Sequence, residues 1–318
     1  MNIGFVVLLS VLPELGRAPR YPEMREMALQ AEATGFDSIW LYDHLLYRSA
    51  GRPTRGIWEC WTMLSALTEA TQSIEVGTLV LCNQFRNPAL VAKMATTLDE
   101  VSDGRFILGV GAGWNEPEFH AFGIPFDHRV GRLEEALQII TPLLRTGHVD
   151  FAGKFYQARD CEITPRGRRA GGPPVLVGGL GPRMLRLTAR YGDLWSPTAY
   201  LSAPGSFVEP HAKLRAACTE VGRDPTTLGV TALVALAYPD LGEPSPSPLI
   251  PEYLSGSTQD IAAAMHGYEQ MGVSHLMFHC SPYTATALKR LAEAIQAYRR
   301  QGQAPEVRRV EEARGDDA

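Results

Sequence analysis

The stretch LDEVSDGRFILGVGAGWNEPEF, residues 98–119, runs from the end of a helix through a buried strand into a loop. A polar turn at Ser102, Asp103 and Gly104 separates the helical part from an apolar run that begins at Phe106. A helix, a polar turn and a continuously apolar strand are typical of a parallel sheet whose two faces are both covered.

Glycines at 109, 111 and 113 close this strand. A dinucleotide-binding loop needs a third glycine where Trp114 stands, and a P-loop needs a Gly-Lys-Ser/Thr sequence that does not follow here. A strand end without Cβ atoms lets backbone amides approach a ligand, so we favour a binding loop of another kind. A tight turn with no ligand is the alternative.

The same order of a helix, a glycine or polar turn and an apolar strand recurs along the chain. Gly35, Gly192 and Gly272 are expected to end helices in the left-handed conformation. The predicted strands are 2–8, 38–42, 74–81, 106–112, 174–178, 193–196, 228–237 and 274–279. The predicted helices are 21–34, 56–70, 88–101, 130–145, 182–191, 205–221, 258–271 and 284–300. Eight alternating pairs predict an α/β fold, a (β/α)8 TIM barrel with insertions on its C-terminal face; an open doubly wound sheet is the alternative.

Two stretches interrupt the alternation. Residues 149–173 are expected to form a small excursion or hairpin between helix four and strand five. Residues 238–256, rich in Pro and Ser, follow strand seven, where a barrel places a loop on its catalytic face. We expect one domain over residues 1–304 and a charged, disordered tail over 305–318.

Composition narrows the class of protein. The net charge of −5 over 318 residues gives no electrostatic support for a nucleic-acid partner. Five widely spaced cysteines without a C-x-x-C pair are typical of a reducing compartment and argue against a zinc site. The apolar N-terminal run has no basic segment before it and no small-x-small site after it, which favours a buried strand over a signal peptide. We therefore expect a cytoplasmic protein that does not interact with a membrane.

Function in such a barrel collects where the strands end. Strand two ends in Asp43 and His44, which can form an acid/base pair, although a turn cap and a rim histidine explain them equally well. After strand three, Arg86 is expected to pair with a neighbouring acid rather than to anchor an anion. His275 and His279 lie on one face of a strand without an evident third ligand, so we predict no metal site.

A second glycine-rich strand end, VGGLGPR, carries Gly178, Gly179 and Gly181 before a helix with Pro182 in its first turn. The free amides of a helix N-terminus attract phosphate. Together with the glycines after strand four, this predicts one phosphorylated cofactor lying across strands four and five.

At this point the chain resembles the bacterial luciferase-like monooxygenase superfamily, and within it the branch that uses the deazaflavin coenzyme F420. The matching segments are GFDSIWLYDHL (35–45), the segment from EVGTLVLCNQFRNP to GVGAGWNEPEF (75–119), VGGLGPRMLRLTARYGDLW (177–195) and STQDIAAAMHGYEQMGVSHLMF (257–278). They cover most of the chain in the family's order.

The resemblance implies a flavin-type cofactor at the C-terminal ends of the strands, with a cis peptide bond between Leu79 and Val80 backing its ring system. It places Asn115 near that ring, and Asp43 and His44 beside the reacting carbon, with His44 as acid/base. It also implies a set of residues around the cofactor phosphate: Gly111, Ala112, Gly113, Gly178, Gly179 and Gly181.

One position departs from the pattern. Sugar-phosphate dehydrogenases of this branch carry a glutamate soon after the strand-four glycines, and Trp114 falls there instead. The absence of a glutamate at this position argues against a sugar-phosphate substrate. The identity of the catalytic acid stays open, because Glu116 and Glu118 come later in the chain. The insertion 113–128 is expected to line the substrate pocket, with Trp114 and Glu116 in it. Other aromatic residues supply either a pocket wall or plain packing: Trp58, Trp61, Phe119 and Phe122.

The sequence thus favours an oxidoreductase that moves hydride between F420 and a small organic substrate. The alternatives are an FMN-dependent monooxygenase that takes reduced flavin from a partner reductase, and a non-catalytic cofactor-binding barrel. The resemblance also implies a homodimer.

Overall fold

The computed structural model describes residues 1–12, 14–48, 51, 53–201, 203–244, 249–250 and 252–302. The predicted tail over 305–318 and the end of the predicted domain at 304 lie outside these residues. The strands are β1 Asn2–Val6, β2 Ser38–Leu41, β3 Glu75–Thr78, β4 Leu81–Cys82, β5 Phe106–Gly111, β6 His148–Ala152, β7 Gln157–Glu162, β8 Val175–Gly178, β9 Leu194–Ser196, β10 Gly229–Ala237 and β11 His275–Ser281. The helices are α1 Tyr21–Ala33, α2 Cys60–Ala70, α3 Pro88–Val101, α4 Glu116–Ala121, α5 Arg129–Arg145, α6 Pro182–Tyr191, α7 Val208–Glu220, α8 Thr258–Gln270 and α9 Ala285–Gly302.

Parallel strands close into a barrel in the described part of the chain. The pairing runs β3-β2-β1-β11-β10-β9-β8-β5, and β3 also pairs with β5, which closes the ring. The short β4 continues the third barrel strand and pairs with the end of β5. Because almost every strand residue is buried, the continuous apolar pattern of the sequence is explained and the barrel prediction is confirmed.

Helix ends follow the local sequence. Asn87 caps α3 by accepting hydrogen bonds from the amides of Ala89 and Leu90, and Ser257 and Asp260 form a reciprocal capping box on α8. Each cap satisfies amides that the helix itself leaves unpaired, so these two helices begin where the sequence predicts.

The structure corrects two of the predicted helix and turn positions. Helix α2 starts at Cys60 and not at 56, because the carboxylate of Glu59 caps its first amides. Gly192 is extended, with φ of −85°, whereas Gly35 and Gly272 have the predicted positive φ. A Cβ at Gly192 would lie 3.0 Å from the Thr188 carbonyl oxygen, so close packing favours glycine there.

Each of the two segments that interrupt the alternation of strands and helices forms strand-like backbone hydrogen bonds. β6 and β7 pair as an antiparallel hairpin, as predicted for residues 149–173. In the segment 238–256, Leu254 pairs with β10 opposite Leu236: its amide donates to Ala235 O and its carbonyl oxygen accepts from Ala237 N, at 2.8 Å each. Residues 245–248 and 251 of this segment fall outside the described residues. Leu254 therefore lies beside the end of β10, near the cavity described next.

Candidate active site

A cavity of about 470 Å³ lies at the carboxyl ends of the barrel strands. Its wall comes from the ends of most barrel strands and from the segment after β10, which contributes Leu249 and Ile250. Most of the predicted site residues meet here: Asp43, His44, Leu79, Val80, Gly111, Ala112, Gly113, Trp114, Gly178 and Gly179. A volume of this size is in the usual range for a small-molecule or cofactor site.

His44 and Glu118 form the main polar pair of the cavity. Nδ1 of His44 lies 2.8 Å from Oε1 of Glu118, and the other carboxylate oxygen accepts a hydrogen bond from the amide of Leu45 at 2.8 Å. An ionised carboxylate only accepts hydrogen bonds, so Nδ1 carries the proton and Nε2 is the basic nitrogen. Trp114 packs edge to face against the imidazole at 5.4 Å, which restricts access to it.

Asp43 has a different set of partners from His44. Its carboxylate accepts hydrogen bonds from Arg86 Nη1 at 2.7 Å and from the backbone amide of Cys82 at 2.9 Å. Arg86 also pairs with Glu59, the cap of α2, which confirms the pairing predicted for this arginine. Burial alone would lower the pKa of Arg86, but Asp43 and Glu59 outweigh it and raise that pKa. This network ties the end of β2 to β4 and α2.

The third barrel strand is interrupted by a cis peptide bond between Leu79 and Val80, as the resemblance implied. Across the interruption, the Thr78 hydroxyl replaces the strand ladder: it donates to Gly109 O at 2.7 Å and accepts from Gly109 N at 2.9 Å. Both Leu79 and Val80 line the cavity. The interruption thus supplies part of the apolar floor.

The glycines at the end of β5 are required mainly by packing. A Cβ on Gly109 would lie 1.9 Å from Thr78 O, and one on Gly111 would lie 2.6 Å from Val80 Cγ2. Gly113 has a φ of +71°, and its Cβ would lie 2.6 Å from Phe119. Other protein atoms therefore occupy the Cβ positions of these glycines, although Gly111 and Gly113 also line the cavity.

Gly178 on β8 packs in the same way. Its Cβ would lie 3.1 Å from both methyl groups of Val80 and 2.5 Å from Thr198. Gly179 lines the cavity, whereas Gly181 does not; it precedes the first turn of α6, with no neighbouring atom within 4 Å of its Cβ position.

Two helix N-termini without a side-chain cap lie beside these strand ends. Neither His128 before α5 nor Gly181 before α6 caps its helix with a side chain, and the first turns place Arg129 and Met184 on the cavity wall. Arg129 donates to the carbonyl oxygen of Gly113 at 2.7 Å and stacks on Phe126. A cation and two uncapped helix N-termini make this end of the cavity favourable for an anion.

The residues predicted from the 113–128 insertion have different positions. Trp114 lines the cavity, but Glu116 is exposed and outside it. Asn115 is buried, and its amide donates to Leu46 O at 2.8 Å, so it holds the loop that carries His44. Phe119 is completely buried between aromatic neighbours, which makes it a packing residue.

Sequence reasoning set Glu118 aside and missed Arg129, Tyr200 and Tyr283 in the cavity wall. A signal for the two tyrosines was present, since each follows a strand by only a few residues. Glu118 was harder to recognise, because its burial depends on the short helix α4, which the sequence pattern did not predict.

The two histidines of β11 line the barrel interior at different heights. Nε2 of His275 lies 2.6 Å from the hydroxyl of Ser38, and burial lowers the pKa of His275 to about 4. Nδ1 of His279 lies 2.6 Å from the hydroxyl of Tyr200, and both residues line the cavity. Enclosure away from bulk solvent lowers the pKa of His279 to about 4 as well. Both imidazoles are therefore neutral near pH 7.

Among the residues that the structure describes, no group of three or more His, Cys, Asp or Glu side chains is placed to hold a metal ion. Over the same described ranges, no helix combines the length and apolar character needed to cross a bilayer.

The chain belongs to the luciferase-like monooxygenase family, whose model matches residues 1–241. This finding agrees with the closed parallel barrel and with the site at the carboxyl ends of its strands.

Individual relatives bear names that mention F420 or ketone reduction. The chain is 34% identical over 178 residues to the F420-dependent glucose-6-phosphate dehydrogenase of Amycolatopsis mediterranei (strain U-32), which covers 54% of this chain and 51% of that one. It is 33% identical over 225 residues to the phthiodiolone/phenolphthiodiolone dimycocerosates ketoreductase of Mycobacterium kansasii, which covers 64% of this chain and 60% of that one. The chain thus spans roughly half of the length of these curated relatives.

Among solved structures, an F420-dependent secondary alcohol dehydrogenase in complex with an F420-acetone adduct has a TM-score of 0.78. It is 21% identical, and the superposition covers 93% of this chain and 98% of that one. At this level of identity the likeness establishes the shared fold.

Proposed function

We propose that this protein is an oxidoreductase that transfers hydride between coenzyme F420 and a small organic substrate. The observation that carries the proposal is the pairing of His44 with Glu118 on the wall of a cavity that Leu79 and Val80 also line. The F420-dependent relatives named above support the choice of cofactor.

The residues present fit a flavin-type cofactor with an anionic side chain. Leu79, Val80 and Met184 give an apolar surface suited to a planar ring. Arg129 and the N-termini of α5 and α6 give an electropositive end suited to a phosphate. When bound there, F420 supplies a two-electron carrier that gives or takes hydride.

The chain itself supplies the proton chemistry. In the direction of alcohol oxidation, the hydroxyl proton passes to Nε2 of His44 while the carbon loses hydride; ketone reduction returns the proton from the same atom. Glu118 accepts the Nδ1 proton in a hydrogen bond, fixes the ring and stabilises the imidazolium that forms. Trp114 and Tyr47 pack against the imidazole and reduce its contact with water.

Titration of the purified chain with F420 and with FMN tests the cofactor. We expect F420 to bind with micromolar affinity, and Arg129→Met to weaken that binding because a cation beside the phosphate end is lost. Arg168→Met is the matched control, since Arg168 is exposed and pairs with Asp103 outside the cavity. Binding of FMN with none of F420 would overturn the proposal and favour a monooxygenase supplied by a partner reductase.

We also infer a homodimer from the family resemblance. Sedimentation equilibrium of the full chain measures its mass directly, and a monomer at micromolar concentration would contradict this inference.

A further inference from the structure

Tyr200 and His279 form a second polar pair on the cavity wall, separate from His44 and Glu118. The hydroxyl of Tyr200 and Nδ1 of His279 are 2.6 Å apart, and the two rings meet edge to face with centroids at 5.4 Å. His279 lies on β11 and Tyr200 follows β9, whereas His44 follows β2. Since β1 stands between β2 and β11 in the barrel, the two pairs occupy different sectors of the wall.

Both members of this pair are uncharged near pH 7. Burial raises the pKa of the Tyr200 phenol and lowers the pKa of His279 to about 4. One proton is shared between the phenol oxygen and Nδ1, so the pair always offers the cavity one donor and one acceptor. If the phenol donates, Nε2 carries a proton; if Nδ1 donates, the phenol proton is free and Nε2 accepts. The pair can therefore bind a carbonyl oxygen or a hydroxyl group.

A third neutral group lines the same cavity, just beyond the end of the strand that carries His279. Tyr283 is only 9% exposed, with its ring stacked on Phe5. The backbone of Leu8 approaches its hydroxyl, but no group among the described residues forms a well-aligned hydrogen bond with it. A ligand oxygen would complete the hydrogen bonding of this phenol.

Most charged side chains of the cavity wall belong to other sectors. Asp43 pairs with Arg86 and Glu118 with His44, and Arg129 lies at the end suited to the cofactor phosphate. The charged group beside this sector is Glu14, which accepts a hydrogen bond from the Tyr283 amide at 3.5 Å and disfavours an anionic ligand. Beside Tyr200 and His279 the wall continues with apolar side chains, Leu233 and Ile250. This sector suits an uncharged ligand better than a phosphate or carboxylate.

We propose that Tyr200, His279 and Tyr283 form a subsite for a second, uncharged oxygen of the substrate. The substrate is accordingly an apolar alcohol or ketone that carries a further hydroxyl or carbonyl group away from the reacting carbon. This rests on the proposed function for the reaction at His44, but the subsite itself is a property of the chain and can be tested without the cofactor.

Histidine labelled with ¹⁵N on the ring reports binding at this subsite. The probes are cyclohexanol, 1,3- and 1,4-cyclohexanediol and cyclohexanecarboxylate, titrated into the full chain with and without F420. The His279 signals are assigned from the spectrum of His279→Asn. We expect at least one diol to shift the His279 signals and to bind roughly three- to tenfold more tightly than cyclohexanol, the gain expected from one neutral hydrogen bond.

Variants separate the subsite from general packing. Tyr200→Phe and Tyr283→Phe are each expected to reduce the preference for the diol. Tyr238→Phe is the matched control, because Tyr238 is also buried and its hydroxyl has no partner within the described part of the chain, but it does not line the cavity. Tighter binding of cyclohexanecarboxylate than of every diol would overturn the inference. So would a preference that survives in both cavity variants. Failure of F420 to bind would count against the proposed function alone.

Discussion

Asp43 and His44 are neighbours in the chain and both line the cavity, but their side chains have different partners. Asp43 is buried against Arg86 and the backbone of Cys82, and it joins the ends of β2 and β4. His44 faces the cavity and is oriented by Glu118, which comes from a helix more than seventy residues further on. Both residues follow the end of β2, so one strand end carries a supporting side chain and a side chain of the proposed chemistry next to each other.

Replacing His44 gives the largest expected effect. His44→Ala should lower kcat roughly 10²- to 10⁴-fold, the usual contribution of a positioned acid/base group, with thermal unfolding nearly unchanged. The rate is that of F420 reduction by an alcohol that the wild-type chain oxidises. Glu118→Gln should lower kcat as well, whereas Glu116→Gln, at an exposed position in the same helix, should not. Full activity of His44→Ala would place the acid/base group elsewhere.

Asp43→Ala should act on stability. It leaves the charge of Arg86 buried without its main partner, and loss of one member of a buried pair costs about 3–5 kcal/mol of the free energy of unfolding. Urea unfolding followed by circular dichroism measures this. Asp127→Ala, which breaks an exposed pair with Arg132, is the control and should leave the urea midpoint nearly unchanged. A stable but inactive Asp43→Ala protein would instead assign Asp43 to the chemistry.

The packing around Val80 can be tested with a substitution that is expected to cost less stability. Gly111→Ala places a methyl group 2.6 Å from Val80 Cγ2 and should cost about 1–3 kcal/mol, as overpacking usually does. Val80→Ala in the same chain should recover part of that loss, so the double variant loses less than the sum of the two single ones. Strictly additive losses in urea unfolding would show that the two side chains do not compete for one space.

The two β11 histidines predict how stability depends on pH. Each pKa falls from its ordinary value of 6.5 to about 4 on folding, so the unfolded chain binds more protons between these values. Stability should therefore be greatest above pH 6.5 and should fall as the pH drops toward 4, by up to about 1.4 kcal/mol per pH unit for each histidine. His279→Asn should remove one histidine's share of the slope between pH 6.5 and 5 in urea unfolding. An unchanged slope would mean that His279 is protonated in the folded protein.

The barrel was predictable from the sequence because parallel strands buried on both faces are continuously apolar, and the turns between elements carry strong local signals. The positions of Asp43 and His44 at a strand end were predictable for the same reason. An acidic partner for Arg86 was expected, but its identity as Asp43, and the pairing of Glu118 with His44, were not predictable because tertiary packing brings these residues together. Asn115 illustrates the same limit: its motif places it near the site, but its amide is used to hold the backbone of Leu46.

The glycines show a different limit. A run of glycines indicates that something approaches the backbone closely, but not whether it is a ligand or another part of the protein. Here the approaching groups are Thr78, Val80 and Phe119. The prediction of a binding loop and the observed packing are compatible, since Gly111 and Gly113 also line the cavity.

The side chain of Val80 packs against Gly111 and Gly178, so the residues allowed on three barrel strands depend on one another at this point. A library that varies position 80 alone samples only side chains that fit a space fixed by the two glycines, and one that varies either glycine alone mostly produces clashes. Reshaping the cavity floor therefore requires all three positions to be varied together, as a single unit of design.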